Sequence, residues 1–103
     1  MIVLSFYVPV DHCESVKAAL FGAGVGRIGQ YEHCAWQSLG KGQFKPMAGS
    51  TPYLGQVDEL EYCEEYKVDV VLEDHLLEEA IRVLKRAHPY ETPAYHALKS
   101  LDC

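Results

Sequence analysis

Histidine and cysteine are the side chains in this sequence best suited to chemistry, because imidazole and thiolate groups bind metals and act as bases or nucleophiles. Five histidines and four cysteines are present, with adjacent pairs at His12-Cys13 and His33-Cys34. Neighbours on a strand point to opposite faces, so we do not expect His33 and Cys34 to share one metal. A shared site would need groups brought together in space or across a subunit interface. No C-x-x-C pair of the kind found in zinc sites occurs, and we expect free thiols.

A second group of polar side chains lies in the segment HPYETP, residues 88–93. Its two prolines restrict the backbone on either side of Tyr90 and Glu91. Two interpretations remain open: a rigid turn that packs Tyr90 into the sheet or a neighbouring subunit, and a ligand or metal contact at a subunit boundary. His88 therefore joins His33 and Cys34 as a candidate metal ligand. A divalent metal ion is a candidate cofactor, and the sequence leaves its identity open.

The glycine-rich stretch GAGVGRIG, residues 22–29, contains the G-x-G-x-x-G spacing of a dinucleotide-binding loop. Such a loop follows a strand and opens a helix whose N-terminus binds the pyrophosphate. Here a predicted helix precedes the glycines and an extended run follows them, so we reject a dinucleotide site. We expect these glycines to supply positive φ angles and close approach of the backbone.

Catalysis and nucleic-acid binding find no support in the sequence. No Ser-His-Asp or Cys-His-Asn signature occurs, and the adjacent glutamates belong to acidic runs typical of a solvated surface. The net charge is −6, whereas affinity for nucleic acid comes mostly from Lys and Arg. No apolar run reaches the ~18 residues of a membrane span, and the first residues lack the features of a signal peptide. We predict a cytoplasmic, non-catalytic protein without nucleic-acid or membrane partners.

The first half of the chain predicts a strand, a helix and a long loop. Residues 2–8 alternate apolar and mixed side chains, which is typical of a strand with one buried face. Asp11 and Glu14 fit a capping box, so a helix should run from there to about Phe21 and stop at Gly22. Residues 31–38 are aromatic and extended. Residues 40–55 form a loop long enough to indicate a functional or oligomer contact, and its apolar side chains are Phe44, Met47, Tyr53 and Leu54.

The second half predicts a strand, a helix and a short final strand. Residues 58–65 are acidic and are expected to be solvated, and residues 66–73 alternate clearly as a strand. Glu73 or Asp74 is expected to cap a helix that Pro89 ends. Residues 93–98 read as the final strand. The predicted apolar stripe of the helix is Leu77, Ala80, Ile81 and Leu84, with Leu76, Val83 and Ala87 beside it.

This order of elements, β-α-β-β-α-β, predicts one domain over residues 1–103. Its fold class is α+β: a ferredoxin-like sandwich, with a four-stranded antiparallel sheet and two helices on one face. The core between sheet and helices should hold Phe6, Val68, Val70, Ile81 and Leu84. The opposite face would carry Val3, Tyr7, Val71 and Trp36. An uncovered, partly apolar sheet face indicates self-association.

Two sets of residues resemble known families. The segment HPYETP, residues 88–93, resembles the H-P-Y-[ED]-x-P motif of CutA, a trimeric ferredoxin-like protein linked with divalent-cation tolerance. A second set of landmarks is similar to the PII/CutA-like domain inserted in dinuclear-metal-centre hexameric proteins of the NGG-interacting-factor (YqfO-like) family. These landmarks are Gly22-Ala23-Gly24, Gly29-x-Tyr31-x-x-Cys34, Gly42-x-Phe44-x-Pro46 and Pro52-Tyr53-x-Gly55.

The resemblance implies a trimer, with ligands in clefts between subunits where the glycine-rich segment and the long loop meet. The candidate ligand-binding residues are Gly24, Gly29, Tyr31, Phe44, Tyr53, Tyr90 and Glu91. The two-metal site of the YqfO-like family belongs to a larger flanking domain that this sequence does not show. We therefore expect the insert domain standing alone, without the dinuclear centre and without the GTP cyclohydrolase activity sometimes associated with the family.

Three functions remain open on the sequence. The first is a homotrimeric regulatory or ligand-binding module of the PII/CutA-like type. The second is a CutA-like protein that binds a divalent metal ion of the copper or zinc class, and the third is a protein-protein interaction module. Titration with metals separates the second from the other two.

Overall fold

The computed structural model describes residues 1–101, and its four strands form one antiparallel sheet in the order β2-β3-β1-β4. Two helices, α1 and α2, connect β1 to β2 and β3 to β4, and a short 3-10 turn precedes each helix. The elements are β1 Ile2–Pro9, α1 Cys13–Gly22, β2 Trp36–Phe44, β3 Glu61–Leu72, α2 Leu77–Ala87 and β4 Tyr95–Lys99. This arrangement confirms the predicted α+β, ferredoxin-like fold.

The core lies between the helices and one face of the sheet. Alternate residues of the two central strands fill it, and in the β1–β3 register Leu4 lies opposite Val70 and Phe6 lies opposite Val68. The predicted burial of Phe6, Val68, Val70 and Leu84 is confirmed. The helices contribute Val16, Leu20, Ala80, Val83 and Leu84 to the same core. Burial of about a dozen apolar side chains at ~1.5–3 kcal/mol each is the main stabilising contribution.

The buried face of α2 is rotated slightly from the apolar stripe that the sequence predicted. Ala80, Val83 and Leu84 are buried, whereas Ile81 is only half-buried and stands at the edge of the interface. A helix buries positions i, i+3 and i+4 on one side, so Val83 in place of Ile81 completes the set around Ala80 and Leu84.

The strand β2 lies later in the chain than predicted. It begins at Trp36 and runs through Gly40 and Gly42 to Phe44, so only residues 36–38 of the predicted extended stretch 31–38 are in the strand. The long loop begins after Phe44, and the expectation that it starts at Gly40 was wrong. Two glycines weaken the intrinsic strand preference. Cross-strand pairing with β3 overrides that preference here, with Gly40 opposite Glu65 and Gly42 opposite Cys63.

The acidic stretch before residue 66 is also part of the sheet. Residues 61–65 belong to the first half of β3: residues 61–69 pair with β2, and residues 65–72 pair with β1. The β2–β3 hairpin therefore extends beyond the helices, and its exposed charges reflect that position rather than a loop. The final strand begins at Tyr95, two residues later than predicted.

The helix starts differ from the predicted caps. Pro9 and His12 stand at the cap positions of the first 3-10 turn and of α1, and neither forms a side-chain cap bond, so the Asp11–Glu14 capping box is not formed. Glu73 precedes the second turn and also makes no side-chain cap bond. The preceding 3-10 turn supplies the first backbone bonds in both cases, which removes the need for a side-chain oxygen.

The sheet face opposite the helices, here called the open face, carries the expected apolar residues. Val3, Tyr7 and Val71 are half-buried, and Trp36 is 71% exposed. Leu98 lies opposite Val3 on the same face. A polar pair interrupts this surface, since the hydroxyl of Ser5 donates to Asp69 at 2.5 Å. Within residues 1–101, no helix is long and apolar enough to cross a membrane.

Candidate functional site

A cleft of about 630 Å³ lies on the open face at the end of the sheet where β2 leads into β3. It forms because residues 45–57 fold back over the sheet and meet residues 90–94, which precede β4. We call it the loop cleft. Its volume falls within the ~300–1,000 Å³ usual for small-molecule sites. The side chains that matter most for its chemistry are Tyr7, Phe44, Tyr53, Glu65, Tyr90 and Glu91.

Three aromatic rings form the walls of the loop cleft. The ring of Tyr90 lies between the other two, with its centroid 5.7 Å from that of Phe44 and 6.3 Å from that of Tyr53. The interplanar angles are 59° and 51°, so the rings are tilted rather than stacked face to face. Tilted rings leave parts of their faces and edges open to a ligand between them.

A carboxylate is fixed at the floor of the loop cleft. The hydroxyl of Tyr90 donates to Oε2 of Glu65 at 2.8 Å. The Glu65 carboxyl group lies over Gly42 of the neighbouring strand, where a Cβ atom would overlap Oε1. The pKa of the Tyr90 phenol is raised, first by burial and then by its neighbours Cys63 and Glu65. Tyr90 therefore stays protonated and remains a donor to Glu65.

Several bonds hold the long loop in place. The amide of Thr51 donates to Oε1 of Glu91 at 3.0 Å, and the Tyr53 hydroxyl lies 3.0 Å from Nε2 of His12. The amide of Asp58 donates to the carbonyl of Pro46 at 2.7 Å, which closes the base of the loop. Pro46 itself is buried. The cleft is thus held by contacts to the start of α1 and to the segment before β4.

His88 supports the loop cleft from beneath Tyr90. It is 5% exposed, and its ring centroid lies 5.0 Å from that of Tyr90. Its Nε2 lies 2.6 Å from the carbonyl oxygen of Tyr7, and its Nδ1 accepts from the amide of Tyr90 at 3.1 Å. Both ring nitrogens are therefore engaged with the backbone. This favours the structural interpretation of the HPYETP segment.

The structure brings together four of the predicted ligand-binding residues and separates the other three. Phe44, Tyr53, Tyr90 and Glu91 all line the loop cleft. Gly24, Gly29 and Tyr31 do not, because the amide of Gly26 bonds the carbonyl of Val71 at the far end of β3. Val71 is six residues beyond Glu65, the β3 residue that lines the cleft, or ~20 Å along the strand. Within one chain, the glycine-rich segment and the long loop do not meet.

The glycine-rich segment has the structural role that the sequence indicates. Gly24, Gly26 and Gly29 all have positive φ angles. Gly26 bonds the backbone on both sides, to Val71 and to the amide of Cys34 at 2.8 Å. Its place is tight, since a Cβ there would lie 2.9 Å from the carbonyl oxygen of Cys34.

The candidate metal ligands lie in different places. His33 is not in a strand: its φ is +58°, and its ring stacks on Phe21 at 4.7 Å. Cys34 follows it at the far end of β3 from the loop cleft, and His88 lies under Tyr90. Among residues 1–101, no three His, Cys, Asp or Glu side chains are grouped as a metal ion would require. Cys13, Cys34 and Cys63 are free thiols, as expected, and Cys103 lies outside the described residues.

Glu65 and Gly42 are site residues whose roles the sequence did not reveal. Glu65 appeared to belong to a solvated acidic stretch, and only the register of β2 on β3 places it over Gly42. The sequence did contain a signal for Glu65. Extending the alternation of β3 back to residue 61 places Glu65 on the same face as Val71, which is the open face.

No protein-family model matches the chain. Over 92 residues it is 44% identical to the GTP cyclohydrolase 1 type 2 homolog of Bacillus subtilis, an alignment that covers 89% of this chain and 25% of that protein. It is 43% identical over 89 residues to the homolog from Mycobacterium tuberculosis, covering 86% of this chain and 24% of that protein. The chain thus spans about a quarter of the length of these curated relatives.

Solved structures show the same fold. A Bacillus cereus protein related to NIF3 superimposes with a TM-score of 0.80 at 36% identity, over 93% of this chain and 24% of that one. CutA1 from Pyrococcus horikoshii gives a TM-score of 0.73 at 19% identity, and the match covers 100% of this chain and 86% of that one. The PII-like protein CutA from Nostoc gives a TM-score of 0.69 at 14% identity, and the match covers 97% of this chain and 81% of that one. At these lower identities the likeness concerns the fold.

Proposed function

We propose that this PII/CutA-like domain, which is homologous to a quarter-length segment of the GTP cyclohydrolase 1 type 2 homologs, is a non-catalytic trimeric module that binds a small ligand in the loop cleft. The observation that carries the proposal is the cleft itself. It has the volume of a small-molecule site, three aromatic walls and a carboxylate fixed at its floor.

The polar groups around the cleft support binding rather than catalysis. Tyr90 is held as a hydrogen-bond donor to Glu65, and Glu91 holds the amide of Thr51. Both ring nitrogens of His88 bond the backbone, so this imidazole has no free position from which to transfer a proton to a substrate. These groups fix the shape of the cleft and can orient a ligand.

The trimer is supported by the part of the open face that the long loop leaves uncovered. Trp36 is 71% exposed and Leu98 is 65% exposed, beside the half-buried Val3 and Val71. Closed symmetry would bury this surface equivalently in each subunit. The resemblance to CutA points the same way. A partner subunit could also bring a glycine-rich segment near the loop cleft of its neighbour.

The test of ligand binding is a small-molecule screen by thermal shift, followed by two-dimensional amide NMR titration of the hits. A cleft ligand should shift the amide signals of Gly42, Thr51 and Glu91. Tyr53→Leu should weaken binding at least tenfold, because it removes one aromatic wall. Tyr62→Leu is the matched control, since Tyr62 is exposed on the other face of β3. Hits that shift none of the cleft amides would contradict the proposal.

The test of assembly is light scattering coupled to size exclusion at micromolar concentration with reducing agent. The expected mass is three times the 11.6 kDa of the chain. A mass near 11.6 kDa would contradict the trimer and would leave the loop cleft as a site within one protomer.

A further inference from the structure

We propose that the ligand of the loop cleft is an organic cation: a substituted ammonium group on an apolar body. This inference rests on the proposed function, since it names the chemical class of ligand for the same cleft. The cleft combines aromatic faces with carboxylates that lack a cationic partner, and these two features together select positive charge and apolar surface in one molecule.

The aromatic walls favour a ligand that combines positive charge with apolar surface. Phe44, Tyr53 and Tyr90 surround the space above the sheet, with Tyr7 at its base. The faces of aromatic rings carry negative potential, and sites for quaternary and methylated ammonium groups are built from several such faces. Apolar groups on the nitrogen pack against the same rings.

The carboxylates also favour a positively charged ligand. Neither Glu65 nor Glu91 forms an ion pair with any side chain among residues 1–101. Each has one oxygen engaged by a neutral donor, the Tyr90 hydroxyl or the Thr51 amide. Lys45 is the basic residue in the lining; it is exposed and bonds neither of them. A bound cation would therefore meet uncompensated negative charge.

Glu65 is positioned for this role by two neighbours. The Tyr90 hydroxyl holds Oε2, and the missing side chain at Gly42 leaves the space that Oε1 occupies. A residue with a Cβ at position 42 would force the carboxyl group to move. The fit of Glu65 over Gly42 thus fixes negative charge at the cleft floor, beside the rings.

Other classes of ligand fit less well. A bare divalent metal ion needs several oxygen or nitrogen ligands within ~2–2.6 Å, and no group of three such residues exists within 1–101. An anion such as a phosphate would meet two carboxylates and a single exposed lysine. A neutral apolar molecule would match the rings but leave the carboxylates without a cationic partner.

The experiment is an amide NMR titration with three probes of nearly equal shape and different charge. The cation is choline, the neutral isostere is 3,3-dimethyl-1-butanol and the anion is 3,3-dimethylbutanoate. We expect choline to saturate shifts at Gly42, Thr51 and Glu91, with a Kd at least tenfold lower than that of the neutral isostere. The anion should produce no saturable shift at these amides.

Matched variants locate the charge that matters. Glu65→Gln removes the charge but keeps an acceptor for Tyr90, and should weaken choline binding at least fivefold. Gly42→Ala should do the same by displacing the Glu65 carboxyl group, which is the flexible end of a side chain. Glu64→Gln changes the net charge equally on the other face of β3 and should leave affinity unchanged. Thermal melts of all three variants check that they fold.

The possible outcomes separate this inference from the proposed function. If the neutral isostere or the anion binds in the loop cleft as tightly as choline, the cation inference is wrong while the ligand-binding function stands. If no probe binds and a library screen finds no cleft ligand, both fail. If Glu65→Gln and Gly42→Ala lower the mass in solution instead of the affinity for choline, the cleft is a contact between subunits and the inference is overturned.

Discussion

His88 donates the proton on Nε2 to the carbonyl oxygen of Tyr7, at 2.6 Å. The assignment follows from its other nitrogen: Nδ1 faces the amide of Tyr90 at 3.1 Å, and an amide can only donate. A carbonyl can only accept, so one neutral tautomer satisfies both bonds. The buried imidazole thereby ties the C-terminal part of β1 to the segment that carries the Tyr90 ring into the loop cleft.

The first prediction is that the domain loses stability as the pH falls below about 6.5, the ordinary pKa of histidine. Burial lowers the pKa of His88 in the folded protein, although the Tyr7 carbonyl and Glu65 partly oppose the shift. A depressed folded pKa means that the unfolded chain binds the proton first. The stabilising contribution is therefore complete above the unfolded pKa and is lost as pH falls through the folded pKa. Urea unfolding at several pH values between 7.5 and 5.5 measures this loss of stability.

Two variants isolate His88 in that measurement. His88→Gln keeps an N–H group that can reach the Tyr7 carbonyl but does not titrate, so its stability should vary less over this range. His75→Gln removes an exposed imidazole at the start of the second helical segment and should keep the wild-type slope. Asp74, whose pKa is lowered by Lys99, titrates below pH ~3.8, outside the window. Equal slopes in wild type and His88→Gln would refute the role of His88.

The second prediction is that Val70→Asp unfolds the domain. Val70 is 2% exposed, lies opposite Leu4 and belongs to the apolar core between the sheet and the helices. Burying an unpaired carboxylate costs several kcal/mol, comparable to the ~5–15 kcal/mol stability of a whole domain. Circular dichroism should show the loss of secondary structure in this variant, and a thermal melt should show no cooperative transition. Val57→Asp, in the exposed part of the long loop, is the control and should melt like the wild type.

Sequence periodicity predicted the parts of this fold that burial enforces. The alternation in β1 and the second half of β3, the two helices and the open face all follow from apolar spacing, because each of these elements packs against the core. The prediction failed where the sheet extends beyond the core. There β2 contains two glycines and β3 begins with acidic residues, and pairing between the strands decides the structure instead of burial.

The sequence also predicted only part of the candidate site. Phe44, Tyr53, Tyr90 and Glu91 came from motif resemblance, and the structure assembles them in the loop cleft. Glu65 required the register of β2 on β3, since only that register places its carboxyl group over Gly42. Register depends on contacts between distant residues, and a single sequence specifies it weakly where one face is solvated.

The third prediction concerns Gly26 and Gly29, two glycines with positive φ angles. Gly29→Ala should cost about 1–2 kcal/mol, because the new side chain disfavours the left-handed conformation although it meets open space. Gly26→Ala should cost at least about 1 kcal/mol more, since its Cβ would also lie 2.9 Å from the carbonyl oxygen of Cys34 and 3.0 Å from the Phe21 ring. Chemical denaturation of both variants compares them directly. Equal losses would mean that the chain relaxes around Gly26.

The last prediction is that Trp36→Glu breaks the trimer without unfolding the protomer. Trp36 is 71% exposed on the open face and contributes nothing to the core, so the variant should melt as a folded domain. If this face packs against other copies, a buried glutamate there should weaken association by about 2 kcal/mol or more, which is roughly thirtyfold. Leu39→Glu is the matched control: Leu39 lies on the same strand, is 60% exposed and faces the other side of the sheet. Light scattering at micromolar concentration should give the mass of one chain for Trp36→Glu and of the trimer for Leu39→Glu. The reverse pattern would place the subunit contact on the helix side of β2 and would contradict assembly through the open face.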